Sequence, residues 1–248
     1  MKSQINFGFW VDIVVGSGYF RLNFWEHMVS ASHKYGVKFY AGLSEPRIKD
    51  EYPKLKRLQN AVYRARSAAA WQAGVDGLYI FNEYNTRSKY LRVIGEAEKL
   101  AGKNNLYFVT YRNGNPNSYL KNGKQYLRLP LLSPQNPVSV KSEPLEFFVE
   151  IGNESKPSEV FVILYTNGVK EGDLEIALNN TVGSFKNSTE DGLIIFKVPS
   201  NAVTSGKNQL MINGTKGTAD DGKLLDAAIL FYRDKSDSEL NQLTKLFD

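Results

Sequence analysis

Val37-Lys38-Phe39-Tyr40-Ala41-Gly42-Leu43 is a short apolar run closed by Ser44-Glu45-Pro46, and runs of this length bounded by turn residues read as buried strands. Upstream, Val11 to Val15 has the same character. Gly16-Ser17-Gly18 breaks it, and Phe20 to Tyr35 then carries Phe24, Met28, Val29 and Ala31 in approximate helical register before Gly36 stops the run. Downstream, a polar loop with Pro46 and Pro53 leads to a predicted helix over Leu55 to Ala73, ended by Gly74. Asp76 to Asn82 is a third strand, followed by a predicted amphipathic helix from Ser88 to Ala101 that Gly102 terminates. Strands alternating with helical patterns predict parallel strands joined by crossover helices, an α/β unit of about three repeats. Asn104 to Arg112 reads as a last strand leaving that layer.

The pattern changes near Asn113, where NGNPNSYLKNGKQ supplies a Gly-, Pro- and Asn-rich linker. Beyond it, Leu145–Ile151, Glu159–Tyr165, Leu174–Leu178, Leu193–Val198, Gln209–Ile212 and Ala227–Tyr232 are β-rich runs at sandwich-like spacing. Asn167-Gly168 carries a hairpin-turn signal. The expected organisation is an α/β unit over 1–112, a linker over 113–122, an all-β sandwich over 123–234 and a charged tail over 235–248 with a frayed helix around Leu240.

Hydrophobic residues at 42% and charged residues at 23% describe an ordinary globular chain. The net charge of +5 is scattered among acids rather than gathered in a stripe, so no nucleic-acid partner is implied. There is no cysteine, which excludes disulfides and thiolate metal sites. No apolar stretch approaches the roughly 20 residues of a bilayer span, and Asp12 interrupts the early apolar run, so neither a membrane partner nor a signal peptide is expected. Gly16-x-Gly18 lacks the third glycine of a dinucleotide fingerprint, Arg21 standing there instead. His27 and His33 lie on different faces of their helix without metal-ligand spacing. No cofactor and no metal is expected.

Parallel β/α units place their chemistry just beyond the C-terminal strand ends. Tyr19, Arg21, Asn23, Trp25 and Glu26 follow the first strand, Glu45 and Arg47 the second, and Asn82, Glu83 and Asn85 the third. Aromatic rings, guanidinium groups and carboxylates together suit a sugar, whose ring faces stack on aromatics and whose hydroxyls need donors and acceptors. Glu45 lies one step past its strand with Arg47 near enough to keep it ionised, which makes it a candidate nucleophile or base. Glycoside hydrolysis uses a carboxylate pair, for which Glu83 and Asp12 are candidate partners. Arg64, Arg66 and Trp71 read as bracing and packing residues of the second helix.

The stretch Gly18-Tyr19-Phe20-Arg21-Leu22-Asn23 through Trp25-Glu26-His27, with Arg64-Ala65-Arg66 to Trp71 and Ala73 to Asn82, resembles the last part of glycosyl-hydrolase-like TIM-barrel proteins of polysaccharide-degrading bacteria. Val198-Pro199 through Gly206-Lys207-Asn208-Gln209-Leu210, followed by Leu225-Asp226-Ala227-Ala228, resembles the closing strands of galactose-binding-like jelly-roll domains appended to such enzymes. The resemblance implies that the three strands are the sixth, seventh and eighth of a partial (β/α) barrel, with Glu45 as nucleophile at the end of the seventh. It implies Glu83 as a second carboxylate, Tyr19, Arg21, Trp25, Arg47 and Asn82 around a carbohydrate, and an exported parent family. Such families keep their acid/base carboxylate on the fourth strand, which these residues do not supply. The chain alone is therefore expected to be inactive or very weak, and to be completed by a homo-oligomer partner or a missing N-terminal barrel half. The competing expectation is a non-catalytic carbohydrate-binding or self-associating structural protein.

Overall fold

The computed structural model describes residues 4–5, 9–16, 23–43, 59–81, 83–109, 117, 120–126, 128, 132, 137–141, 143–154, 158–233 and 240. A two-residue pairing of β1 (Gln4–Ile5) with β2 (Phe9–Trp10) precedes the first β/α unit. That unit runs β3 (Ile13–Gly16), α1 (Trp25–His33), β4 (Lys38–Gly42), α2 (Asn60–Gln72) and β5 (Gly77–Tyr79). The three strands form one sheet in the order β3-β4-β5, parallel at both pairings, with Val15 beside Tyr40 and Tyr40 beside Gly77. The three segments read from the sequence as strands thus lie side by side and point the same way.

Strand alternation gives this sheet two faces. Val14, Phe39, Ala41 and Leu78 face the core that Trp25 and Val29 of α1 and Tyr63, Ala65 and Ala69 of α2 complete, so both helices pack on one face. Phe39 is wholly enclosed, its ring 5.9 Å from that of Trp25; burying such a ring stabilises by about 1.5–3 kcal/mol. Gly16 is required at the end of β3, because a Cβ there would lie 2.4 Å from the Phe39 ring. The opposite face keeps Ile13, Val15 and Tyr79 at 46%, 44% and 42% exposure.

The expected helix over Ser88–Ala101 is replaced by a 3-10 turn at Lys89–Arg92 and a short α3 at Ala97–Leu100. Tyr90 and Ile94 are buried, and the Ile94 carbonyl accepts from Trp71 Nε1 at 2.8 Å. Gly95, with the lowest helix propensity short of proline, follows the point of interruption. No described helix is long and apolar enough to cross a membrane.

The second half is a two-layer antiparallel β structure. Its strands are β6 (Asn105–Phe108), β7 (Val138–Ser139), β8 (Leu145–Ile151), β9 (Glu159–Asn167), β10 (Leu174–Leu178), β11 (Thr181–Val182), β12 (Ser184–Ser188), β13 (Leu193–Val198), β14 (Gly206–Gly214) and β15 (Lys223–Tyr232). One sheet is ordered β11-β10-β14-β8 and the other β12-β13-β9-β15-β6, with β7 also paired to β15. Phe147, Val149, Ile176, Leu178, Leu210 and Ile212 from the first meet Val160, Val162, Ile194, Phe196, Ile229 and Phe231 from the second. The strand beginning at Asn105 belongs by pairing to this second half, Ala228 lying opposite Phe108. Asn167-Gly168 does not close a hairpin as expected: β9 and β10 lie in different sheets, and Gly168 turns the chain between them at φ 67°. The two-residue hairpin is instead Asn179-Asn180, both left-handed at φ 48° and 65°, joining β10 to β11.

Helix α2 joins the halves. It lies against β6 and β8, which are edge strands of the two sheets, and covering such edges removes a template for unwanted pairing. Its alanines permit close approach: a Cβ on Gly152 would fall 2.3 Å from that of Ala68. Ala61 and Val62 sit on the outer face of the second sheet with Leu106, Phe161, Ile163, Ala228 and Leu230, which explains why β15 is apolar along almost its whole length. A buried polar seam finishes the joint. Arg64 Nε and Nη2 donate to the Asn104 carbonyl at 3.1 and 2.6 Å, and Asn104 Oδ1 accepts from the Arg233 N–H at 2.7 Å. Arg233 Nη2 lies 2.7 Å from Glu154 Oε2, while Glu154 Oε1 accepts from Tyr107 OH and Asn105 Nδ2, each at 2.7 Å. Burial first, and then the Glu154 carboxylate, push the Tyr107 phenol well above its usual range.

Candidate functional site

All three parallel strands end together, since Gly16 lies beside Ala41 and Gly42 beside Tyr79. The connections leaving them therefore start from one rim of the sheet. Tyr19, Arg21, Glu45, Arg47 and Asn82 lie outside the described residues. Trp25 and Glu83 are described, and their placements differ.

Trp25 opens α1 and is 2% exposed, its ring against Phe39 in the helix–sheet core. A ring enclosed in this way packs the interior behind the rim and offers no face to a sugar. Its place in sequence, six residues after Tyr19, suggested the rim; the buried side of an amphipathic first turn is the physical reason it points elsewhere.

Glu83 stands just past β5. Its Oε1 accepts from the Asn85 N–H at 2.8 Å and its Oε2 accepts a short hydrogen bond from Tyr90 OH. The Tyr90 ring stacks on Tyr63 at 4.1 Å and 6°, a well-matched aromatic contact. The Arg66 guanidinium lies 6.0 Å from the Tyr63 ring centre and donates through Nη1 to the Leu43 carbonyl at 3.1 Å. Leu43 N–H in turn donates to the Tyr79 carbonyl at 3.0 Å. One chain of contacts thus links the end of β4 to the end of β5 through α2. The hydrogen bond from Tyr90 holds the Glu83 carboxyl below the usual carboxylate range, helped by the Asn85 N–H against a smaller opposing effect of desolvation. Burial, followed by the hydrogen bond to Glu83, drives the Tyr90 phenol upward. At neutral pH Glu83 is ionised, the state a base or nucleophile needs and a general acid lacks.

Beside it, Tyr79, Phe81 and Tyr84 are 42%, 41% and 86% exposed, with the first two ring centres 6.4 Å apart. Sequence reasoning passed over Tyr79 and Phe81 as strand residues and did not weigh Tyr84; the signal was that Tyr79 alternates with Leu78 and so lies on the face away from the helices. At the other end of the sheet, His33 Nε2 and Asp76 Oδ2 pair at 2.7 Å, and Asp76 Oδ2 also accepts from the Phe39 N–H at 2.8 Å. His33, and then Phe39, hold Asp76 below its ordinary range. This pair ties α1 to the strands and stands away from the rim. Among the described residues no three His, Asp or Glu side chains converge as a metal site needs.

No family model matches this chain, and no curated protein is significantly similar to it. Among solved structures, a β-porphyranase of glycoside hydrolase family 86 from the human gut bacterium Bacteroides plebeius is similar over 52% of this chain, at 15% identity and a TM-score of 0.35. The match spans 20% of that chain's length. So loose a superposition carries no argument about fold or activity.

Proposed function

We propose that this chain is the C-terminal portion of a glycoside-hydrolase-like protein and that the rim of its parallel sheet holds a carbohydrate. The observation that carries the reading is the sheet itself: three parallel strands in sequence order, both crossover helices on one face, and an ionised carboxylate with exposed aromatics where the strands end. In (β/α) barrels that end is where substrates sit. In this reading Glu45 is the nucleophile, Glu83 a second, ionised carboxylate, and Tyr19, Arg21, Arg47 and Asn82 contact the sugar. Trp25 supports the rim from behind. The antiparallel half, a galactose-binding-like jelly roll in this proposal, serves as the wall against which α2 is fixed.

A second reading is favoured by the bare face of Ile13, Val15 and Tyr79. Parallel sheets are normally covered on both faces, so further β/α units, or a second copy of this chain, cover it in the working protein. Affinity electrophoresis of the whole chain through a panel of soluble polysaccharides tests the first reading: retardation by at least one of them, reduced in Glu45→Gln or Arg47→Ala, is expected. Migration unaffected by every polysaccharide would overturn it. Light scattering after size exclusion tests the second, a monomer at all concentrations counting against a second copy.

A further inference from the structure

On the helix side of the same end of the sheet, α1 and the antiparallel half flank an open cleft of about 340 Å³ lined by Phe24, Glu26, His27, Ser30, Glu150 and Lys207. Its frame is fixed. Phe24 has no side chain able to cap α1, and the Trp25 N–H instead donates to Glu150 Oε1 at 2.8 Å, from a residue 7% exposed on β8. A carboxylate there also complements the positive end of the helix. Lys207, opposite Glu150 in the β8–β14 pairing, holds its ammonium 3.9 Å from the Phe148 ring centre and 5.4 Å from that of Phe24. Two aromatic rings within about 6 Å attract a cation without neutralising it. Among the described residues, Lys207 Nζ makes no ion pair or hydrogen bond, and the side chains of Glu26, His27 and Ser30 make none either.

Uncommitted polar groups converging on a concavity with an aromatic wall are what a small-molecule site needs, and this volume lies near the lower end for such sites, about 300–1,000 Å³. The cleft holds two carboxylates and one ammonium; Glu150 is committed to the Trp25 N–H at the positive end of α1, which leaves the Lys207 ammonium as the group to meet an anion. The Glu26 carboxylate and Ser30 hydroxyl call for hydroxyl groups, and Phe24 presents an apolar ring. We propose that this cleft binds one acidic pyranose unit, a uronic acid, with its carboxylate on Lys207 and its hydroxyls on Glu26 and Ser30. The site is separate from the proposed catalytic rim and does not depend on it.

Isothermal titration of the whole chain with D-glucuronate, D-galacturonate, D-glucose and cyclohexanecarboxylate tests it. At least one uronate should bind tenfold or more tightly than either glucose, which lacks the charge, or cyclohexanecarboxylate, which lacks the hydroxyls. Lys207→Met should weaken that binding at least tenfold. Ser30→Trp, placed on the exposed face of α1 and filling the cleft, should abolish it and keeps the test valid if Lys207→Met fails to fold. Absence of uronate binding, equal binding of either comparison ligand, or uronate binding unchanged in the variants would overturn the proposal.

Discussion

Glu154→Gln removes one charge and almost nothing else from the seam that joins α2, β6 and the end of β15. The amide keeps an oxygen for Tyr107 OH and Asn105 Nδ2, both 2.7 Å from Glu154 Oε1 in the wild type. What it loses is the counter-charge to Arg233, whose side chain is 7% exposed against 5% for Glu154. Removing one partner of a buried ion pair costs about 3–5 kcal/mol. Domains of 150–250 residues lose about 2–4 °C of Tm per kcal/mol, so a fall of about 6–20 °C is expected. Urea unfolding followed by circular dichroism and tryptophan fluorescence reads the cost, and because the two halves share one core both probes should report a single transition. The double variant Glu154→Gln/Arg233→Met should recover much of the loss, since an apolar side chain there removes the second charge of the pair as well. A cost under about 1 kcal/mol for Glu154→Gln, or a double variant no better than the single one, would refute the reasoning.

Gly152→Ala should destabilise by about 1–3 kcal/mol in the same assay, the range for overpacking, because the new Cβ meets Ala68 Cβ at 2.3 Å and its carbonyl carbon at 2.6 Å; an unchanged midpoint would show that α2 is not held that closely. Glu83 should titrate below the ordinary glutamate value of about 4.3 when followed by carboxyl NMR, and Tyr90→Phe should move it upward. A lowered folded pKa means that the carboxylate's contribution is fully present above the unfolded value and is lost as pH falls through the folded one. Tyr90→Phe should therefore lose less stability than wild type on acidification below about pH 4.3, and an unshifted Glu83 titration would remove Tyr90 from the account of this site. A fragment beginning at residue 103 should be more soluble and more protease-resistant than one beginning at 113, because only the longer one carries β6, which pairs with β15; equal behaviour would deny β6 that role.

The parallel strands were legible because each is a compact apolar run closed by a glycine or polar turn. The strands β8, β10 and β13 were legible to the residue for the same reason. Ser184–Ser188 was not: it is an exposed polar edge strand held by pairing to β13, and hydrophobic patterning has nothing to register there. Asn179-Asn180 hid the hairpin because asparagine enters the left-handed region less readily than glycine, so the pair is a weaker turn signal than Asn167-Gly168. The role of α2 was written in its alanines at 61, 65, 68, 69 and 70, a composition that suits a helix enclosed on two sides; read alone it is only a good helix former. At the rim, Glu83 was legible as a carboxylate past a strand end, whereas its partner Tyr90, seven residues on, is brought back by the 3-10 turn that replaced the expected helix.

The most direct test of a carbohydrate at the strand ends is hydrogen–deuterium exchange of the whole chain with and without a saccharide it binds. Protection is expected in peptides covering 17–22, 44–58 and 82–85, with little change in the outer strands of the antiparallel half. Saturating saccharide that leaves all three peptides exchanging at their free rates would contradict the assignment of the rim.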